Sequence, residues 1–374
     1  MMKTVLCAGL LAGLLVLALE ECSALPRFSA RTGAKCQSCH VNPSGGGMRQ
    51  AFGVQYGRDV LPVPTWSEDA ELEDFTNLIT NVLGVGADFR TLFFYQQVPD
   101  TGTSAPAVSS KNAFWQMQGD LYINLRLTKK INVYLDKGLY SGFEIFGLLG
   151  ILPERGFIKV GKFIPAYGTK LDDHTAYIRT FTGFSPERGR PELTGLEIGV
   201  SPGAYTFTGG FYNGSDGFGS GVSSDKAFLL RADAIWPLGK ETALGLGINA
   251  FRQYESPGGH TTFYGGMGSL SYGPLVLFGE ANLLRSEGGS AQSKGLVLYA
   301  EAGYLLLEGV DLKVSYDFYD ADVDVKEGAQ SRYSVGLEFF PFPGVELRPM
   351  YRFVKEEPTE LRNDEFHMLI HFYL

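Results

Sequence analysis

Residues 115–127 are WQMQGDLYINLRL, a stretch in which apolar and polar side chains alternate. The apolar members share one predicted face: Trp115, Met117, Leu121, Ile123, Leu125 and Leu127. The polar members share the other: Gln116, Gln118, Asp120, Tyr122, Asn124 and Arg126. Successive side chains of a β-strand point to opposite faces, so one face of this strand suits lipid and the other suits water. The stretch therefore predicts a strand in the wall of a membrane β-barrel.

The same alternation recurs from about Val82 to the C-terminus, and turn-forming segments separate the repeats. Short connectors are predicted at 128–130, 153–155, 201–204, 237–241, 272–274, 307–309 and 341–344. Longer polar connectors are predicted at 101–111, 165–190, 213–226, 286–294, 320–330 and 355–364. Short turns at one rim and long loops at the other are typical of outer-membrane barrels. We predict an all-β fold, a transmembrane antiparallel β-barrel of about 16 strands, rather than a soluble sandwich or propeller.

The last residues of the chain fit a closing strand of this barrel. Its outward face holds Phe366, Met368, Ile370, Phe372 and Leu374. This pattern resembles the C-terminal signature of bacterial outer-membrane proteins, with Leu374 in place of the usual terminal phenylalanine. His367 and His371 alternate with the apolar row, so we expect both imidazoles to point into the lumen.

The pentapeptide CQSCH, residues 36–40, carries the chemistry that the sequence predicts. In a C-x-x-C-H motif the two thiols attach covalently to a haem, and the histidine binds its iron. Cys36 and Cys39 are therefore predicted to bind one covalent haem c, with His40 as the proximal iron ligand. A structural zinc site or a disulfide is the alternative, but zinc requires further ligands and the next histidine is His174.

The N-terminal region divides into three predicted parts. Lys3, an apolar run from Val5 to Leu19 and a small residue at Ala24 are typical of a signal peptide over residues 1–24. Residues 25–60 form the haem-binding segment, a short monohaem cytochrome c plug, and residues 61–78 form a linker. The barrel is then expected over residues 79–374.

The distal iron ligand has several candidates. Met48 lies eight residues beyond His40, and the glycines between them give the chain freedom to wrap a porphyrin edge. Alternatively, Met48 only packs on the ring or the barrel wall. His371 and His367 are the alternative distal ligands because both are predicted to face the lumen, and His174 in the longest loop is another.

The charge of the chain limits its partners. Its formal net charge is −9, which favours neither nucleic-acid binding nor an anion-collecting pore. Acidic residues in the predicted outer loops suit cations such as ferrous iron.

Two resemblances follow from these motifs. The segment PRFSARTGAKCQSCH, with the glycine-rich turn after it, resembles the start of the fused monohaem cytochrome c–porin family of bacterial outer-membrane proteins associated with iron oxidation. The stretch IKVGKFIPAYGT, around Lys159 to Thr169, is similar to part of the phosphate-selective porin O and P family. The first resemblance implies a protein in the outer membrane of a Gram-negative bacterium, with its haem segment on the periplasmic side or in the lumen.

Three functions are compatible with these observations. In the first, the protein transfers electrons across the outer membrane between periplasmic cytochromes and an extracellular donor or acceptor such as Fe(II), as an electron carrier or as an Fe(II)-oxidising oxidoreductase. In the second, it is a diffusive porin with a separate periplasmic haem domain. In the third, the haem site is vestigial and the protein is an ordinary channel.

The haem motif yields a direct prediction. Because both thioether bonds require sulfur, replacing Cys36 and Cys39 together by alanine should abolish haem staining of the denatured protein on a gel. A stain that persists in this double variant would refute the assignment.

Overall fold

The computed structural model describes residues 27–69, 76–97, 110–139, 142–184, 192–214, 225–255, 258–288, 291–359, 361 and 363–374. The predicted signal peptide, residues 1–24, lies outside the described residues. In the part of the chain that is described, no helix is long and apolar enough to cross a membrane.

Sixteen antiparallel strands form one closed barrel, which confirms the predicted all-β barrel and its strand number. The first eight strands are β1 (Leu83–Gln97), β2 (Ser110–Thr128), β3 (Ile131–Gly138), β4 (Phe143–Leu152), β5 (Gly156–Phe163), β6 (Leu193–Val200), β7 (Tyr205–Asn213) and β8 (Lys226–Pro237). The second eight are β9 (Thr242–Glu255), β10 (Gly259–Tyr272), β11 (Leu275–Gly288), β12 (Ala291–Leu307), β13 (Val310–Asp320), β14 (Gln330–Phe339), β15 (Val345–Glu356) and β16 (Glu365–Tyr373). Strand β1 pairs with β16 from Asp88↔Tyr373 to Gln96↔Glu365 and so closes the barrel.

The alternation of side chains divides the wall into two faces as expected. On β2, Leu121, Leu125 and Leu127 are exposed on the outside, whereas Tyr122 and Asn124 are buried on the inside. The lumen is therefore lined by polar and aromatic side chains, and the outer surface is apolar.

The prediction for Met117 and Trp115 is wrong. A register shift between Arg90 and Thr91 leaves Met117 as an extra residue on β2, and Met117 packs with the buried Leu92 and Leu369. Trp115 pairs with Leu92, which lies on the same inner row as Arg90. A β-bulge reverses the faces of the residues beyond it, and a count of alternating residues does not reveal that reversal.

All seven predicted short connectors separate the strands that they were expected to separate. The prediction of a long loop at 286–294 is wrong, because β11 and β12 stay paired as far as Gly288↔Ala291. The segment after β5 also differs from its prediction. It was expected among the outer loops, but residues 164–184 fold inward, and Asp172 and Asp173 form ion pairs with arginines of the inner wall.

The N-terminal residues 27–69 form short helices. Some lie inside the barrel, and others lie at the rim that carries the short turns. The helices are α1 (Arg27–Thr32), α2 (Cys36–Cys39), α3 (Ala51–Asp59) and α4 (Pro64–Asp69); a fifth, α5 (Tyr177–Thr180), belongs to the inward-folded segment. Helix α1 places Ala30 against Val276 and Phe278 of β11, and Arg31 pairs with Asp311 of β13. The N-terminal segment, residues 27–60, thus packs on the inner wall.

The closed barrel predicts a distinctive behaviour on gels. Because every strand is paired on both edges, the protein should resist unfolding in detergent until it is boiled, and its gel mobility should shift on heating. It should fractionate with outer membranes. Recovery in the soluble periplasmic fraction, without a heat-dependent shift, would contradict this architecture.

Candidate functional site: a cavity around residues 36–40

Helix α2 is a single turn that presents both cysteines of the motif. Residues three apart on a helix lie on neighbouring positions of one face, so Cys36 and Cys39 point to the same side. Neither thiol is in a disulfide. The chain leaves the helix at His40, whose backbone is extended, with φ −119° and ψ 149°. The side chains of Cys36, Cys39 and His40 line one cavity.

The glycines after the motif let the chain turn back beneath it. Gly45, Gly46 and Gly47 all have positive φ, a conformation that glycine adopts without strain. A side chain at Gly45 would begin 3.3 Å from the Cys36 Sγ atom, so this position also keeps space beside the thiol. The returning chain pairs His40 with Arg49 in a short antiparallel bridge.

This return orients the imidazole of His40. The Nδ1 atom lies 3.3 Å from the carbonyl oxygen of Gly47. Because a carbonyl only accepts hydrogen bonds, Nδ1 carries the proton and the lone pair is on Nε2. Burial, reinforced by the positive charge of Arg49, lowers the pKa of His40 to about 4. A neutral imidazole with its Nε2 lone pair available suits an iron ligand.

Helix α3 packs closely against the backbone of Cys39. A Cβ atom at Gly53 would lie 2.3 Å from the carbonyl oxygen of Cys39, so only glycine allows this contact. One turn later, a Cβ at Gly57 would lie 3.3 Å from the ring of Tyr373 on β16. The sequence feature that indicates this close packing is the four-residue spacing of Gly53 and Gly57, and neither glycine was predicted to lie at the site.

Barrel residues hold the motif in the lumen. Lys170 of the inward-folded segment donates to Ser44 Oγ at 3.1 Å and to the Gly45 carbonyl at 3.2 Å. Lys35 donates to the carbonyls of Ser201 and Gly203 in the β6–β7 turn, at 3.0 and 2.8 Å. The cavity between these walls has about 1950 Å³ of empty space, part of it continuous with solvent.

Met48 lies beside the cavity but does not line it. Its side chain is 1% exposed and packs with Tyr122 and Tyr134. Its terminal methyl group approaches Gly84 of β1, and its backbone N–H donates to the Tyr134 hydroxyl at 3.0 Å. This geometry favours the alternative in which Met48 packs on the barrel wall.

The three candidate histidines have different surroundings. His371 lines the cavity, but its Nδ1 lies 2.9 Å from Glu346 and its Nε2 lies 2.9 Å from Asp88. His367 is also buried, outside the cavity lining, and its Nε2 lies 3.0 Å from Glu365. His174 is buried in the inward-folded segment and lines the cavity, with Nε2 2.9 Å from Arg90 Nη1. The structure therefore brings His174 and His371 to the cavity with the motif, and leaves Met48 and His367 outside it.

The chemistry of Cys36, Cys39 and His40 fits a covalent haem better than it fits a thiol redox pair or a zinc site. Burial raises the pKa of the Cys39 thiol to about 11, with a further contribution from Cys36, so the pair lacks the acidic thiolate of a thiol redox enzyme. Zinc would need a compact group of ligands. Within the described ranges, the one such group with ligand atoms within 4.8 Å of one another is Asp172, Glu346 and His371, without either cysteine.

The surroundings of Arg49 also fit a haem in this cavity. Its Nη1 atom is buried without a hydrogen bond to the described residues, and Asp88 Oδ1 lies 3.5 Å away. The guanidinium stacks over the Tyr373 ring at 4.4 Å and lines the same cavity as the cysteines. The buried Nη1 atom has an ion pair with Asp88 but no hydrogen bond, so it suits a second carboxylate, and the propionates of a haem are carboxylates.

Comparison with known proteins bears on the barrel. No protein-family model and no curated protein sequence matches the chain. In-vitro folded OmpT of Vibrio cholerae matches with a TM-score of 0.56 at 9% identity, over 79% of this chain and 99% of its own. OprB of Pseudomonas putida has a TM-score of 0.56 at 10% identity, over 85% and 99%. DcaP, an outer membrane channel of Acinetobacter baumannii, has 0.53 at 10% identity, over 80% and 100%.

The barrel has the fold of outer-membrane porins. At these identities the likeness concerns the fold alone. The porin fold accounts for the sixteen strands and the apolar outer surface, whereas the assignment of residues 36–40 rests on their motif and geometry.

The position of Arg49 yields a prediction about redox potential. If residues 36–40 hold the predicted haem, loss of the Arg49 charge favours the oxidised iron, so Arg49→Gln should lower the reduction potential on the order of 50 mV. Potentiometric titration of the haem absorbance measures this. The control is Arg58→Gln, because Arg58 pairs with Asp59 and does not line the cavity. Equal potentials in the two variants would show that Arg49 is not beside the haem.

Proposed function

We propose that this protein is an outer-membrane electron-transfer porin with one covalent c-type haem inside its barrel. The observation that carries the proposal is that Cys36, Cys39 and His40 line one cavity whose other walls belong to the barrel and the inward-folded segment. When bound, a c-type haem supplies one-electron oxidation and reduction at its iron. The chain supplies the two thiols, the oriented imidazole and the surrounding walls.

The size of the N-terminal segment supports this arrangement. A segment of this length cannot bury enough surface to form a stable cytochrome by itself. Its contacts with the barrel provide the missing walls: Ala30 packs on β11, Tyr134 accepts a hydrogen bond from Met48, and Lys35 is bound to the β6–β7 turn. These contacts favour a fixed segment over a freely hanging domain.

The ends of the barrel suggest where partners bind. Short turns of outer-membrane barrels face the periplasm. Since Lys35 is bound to a short turn, the cavity lies toward that side, within reach of periplasmic electron-transfer cytochromes. A membrane core of ~30 Å is much thicker than one haem, so an extracellular donor or acceptor such as Fe(II) must approach through the lumen. Ferrous iron as donor would make the protein an Fe(II)-oxidising oxidoreductase.

The second candidate is a diffusive porin whose haem segment serves a separate purpose. Its support is the fold, because DcaP with the same architecture is described as a channel. Pore conductance distinguishes the two functions, since a segment fixed in the lumen obstructs the path.

Deletion of residues 27–56 should therefore raise single-channel conductance markedly in planar bilayers. The matched control replaces Cys36 and Cys39 by alanine, which removes haem attachment but keeps the segment, and should conduct nearly as little as the wild type. If the deletion leaves conductance unchanged, the haem segment stands apart from the pore.

A further inference from the structure

The chain crosses the rim of the barrel just after the N-terminal segment, residues 27–60. After Leu61, which lines the cavity, the N–H of Val63 donates to the carbonyl of Phe340 at 2.9 Å. Val63 also contacts Gly309, whose φ of +85° shapes the turn between β12 and β13. The chain is thus fixed where it crosses the end of β14.

Aromatic contacts on the two sides of this crossing show that the chain passes from the inner side of the barrel wall to its outer side. Inside, the buried ring of Phe340 meets the ring of Phe28, with centroids 6.1 Å apart. The preceding residue, Phe339, meets Trp66 of α4 with ring centroids 5.4 Å apart. Neighbouring strand residues point to opposite faces, so Phe28 lies on the lumen side and Trp66 on the outer side.

The outer side here is continuous with the lipid-facing wall. Tyr333, Val335 and Leu337 form an exposed row along β14, and Phe339 continues that row toward the short turn. Phe339 is half-buried where Trp66 covers it, and Trp66 itself remains 47% exposed. Trp66 also lies 6.1 Å from the ring of Phe342 in the following turn.

Trp66 lies at the rim with the short turns, where it packs on Phe339, the last residue of β14. Other aromatic residues lie at the strand ends of the same rim: Trp236 precedes the last residue of β8, and Tyr272 is the last residue of β10. Tryptophan is enriched where lipid headgroups meet the hydrocarbon region, because its ring is apolar and its N–H donates a hydrogen bond.

We propose that Trp66 is a membrane-interface anchor that inserts among the phospholipids of the periplasmic leaflet and holds the N-terminal segment in the barrel. The occupant of this surface is lipid, because Trp66 extends an outer row that already faces lipid. The anchor does not depend on haem: its contacts lie on the rim, outside the cavity of residues 36–40.

Fluorescence quenching tests the position of Trp66. A chain with Trp115→Phe and Trp236→Phe retains Trp66 alone and is reconstituted in phosphatidylcholine vesicles brominated near the headgroup end of the acyl chains. We expect Trp66 to lose most of its emission, as a chain retaining only Trp236 should. A chain retaining only Trp115, which pairs with an inward residue, should be much less affected. Quenching of Trp66 by aqueous acrylamide but not by brominated lipid overturns the proposal.

Limited proteolysis tests the anchoring. In vesicles, Trp66→Ala should accelerate cleavage within residues 27–69, whereas Trp236→Ala, which removes a tryptophan of the wall itself, should not. Retention of heat-modifiable mobility verifies that both barrels are folded. Equal protection of the segment in the two variants would show that Trp66 does not hold it.

Discussion

Closure of the barrel by β1 and β16 is the constraint on which the site depends. The pairing of these strands, the first and last of the barrel, brings Asp88 beside His371, with 2.9 Å between the carboxylate and the imidazole. Asp88 in turn lies 3.5 Å from Arg49, which follows the glycine-rich turn after residues 36–40. A barrel that failed to close would therefore lose the wall against which the N-terminal segment packs.

The N-terminal segment is held from several directions, and each contact comes from a different part of the chain. Lys170 binds the glycine turn from the inward-folded segment, Lys35 binds the β6–β7 turn, and Val63 binds the end of β14. Buried cations in such a site require hydrogen-bond partners, and backbone carbonyls supply them here. The barrel therefore both holds the N-terminal segment in place and forms the second half of the cavity.

The sequence was informative where contacts are local. Alternation and turn residues predicted the barrel and the short connectors, because strand pairing between neighbours follows from them. The motif at residues 36–40 predicted its own chemistry for the same reason, and that assignment stays a prediction. Contacts between distant residues were not predictable. The inward fold of residues 164–184 depends on ion pairs such as Asp173 with Arg352, and the inner position of Met117 depends on a bulge opposite β1.

We infer that one redox-active haem is covalently bound within this barrel. Potentiometric titration of the purified full-length protein, followed by stopped-flow mixing with ferrous iron, tests it most directly. We predict a single one-electron transition with one haem per chain, and a change in haem absorbance on mixing with Fe(II). A protein purified from outer membranes without any redox-active chromophore would contradict the claim and leave an ordinary channel.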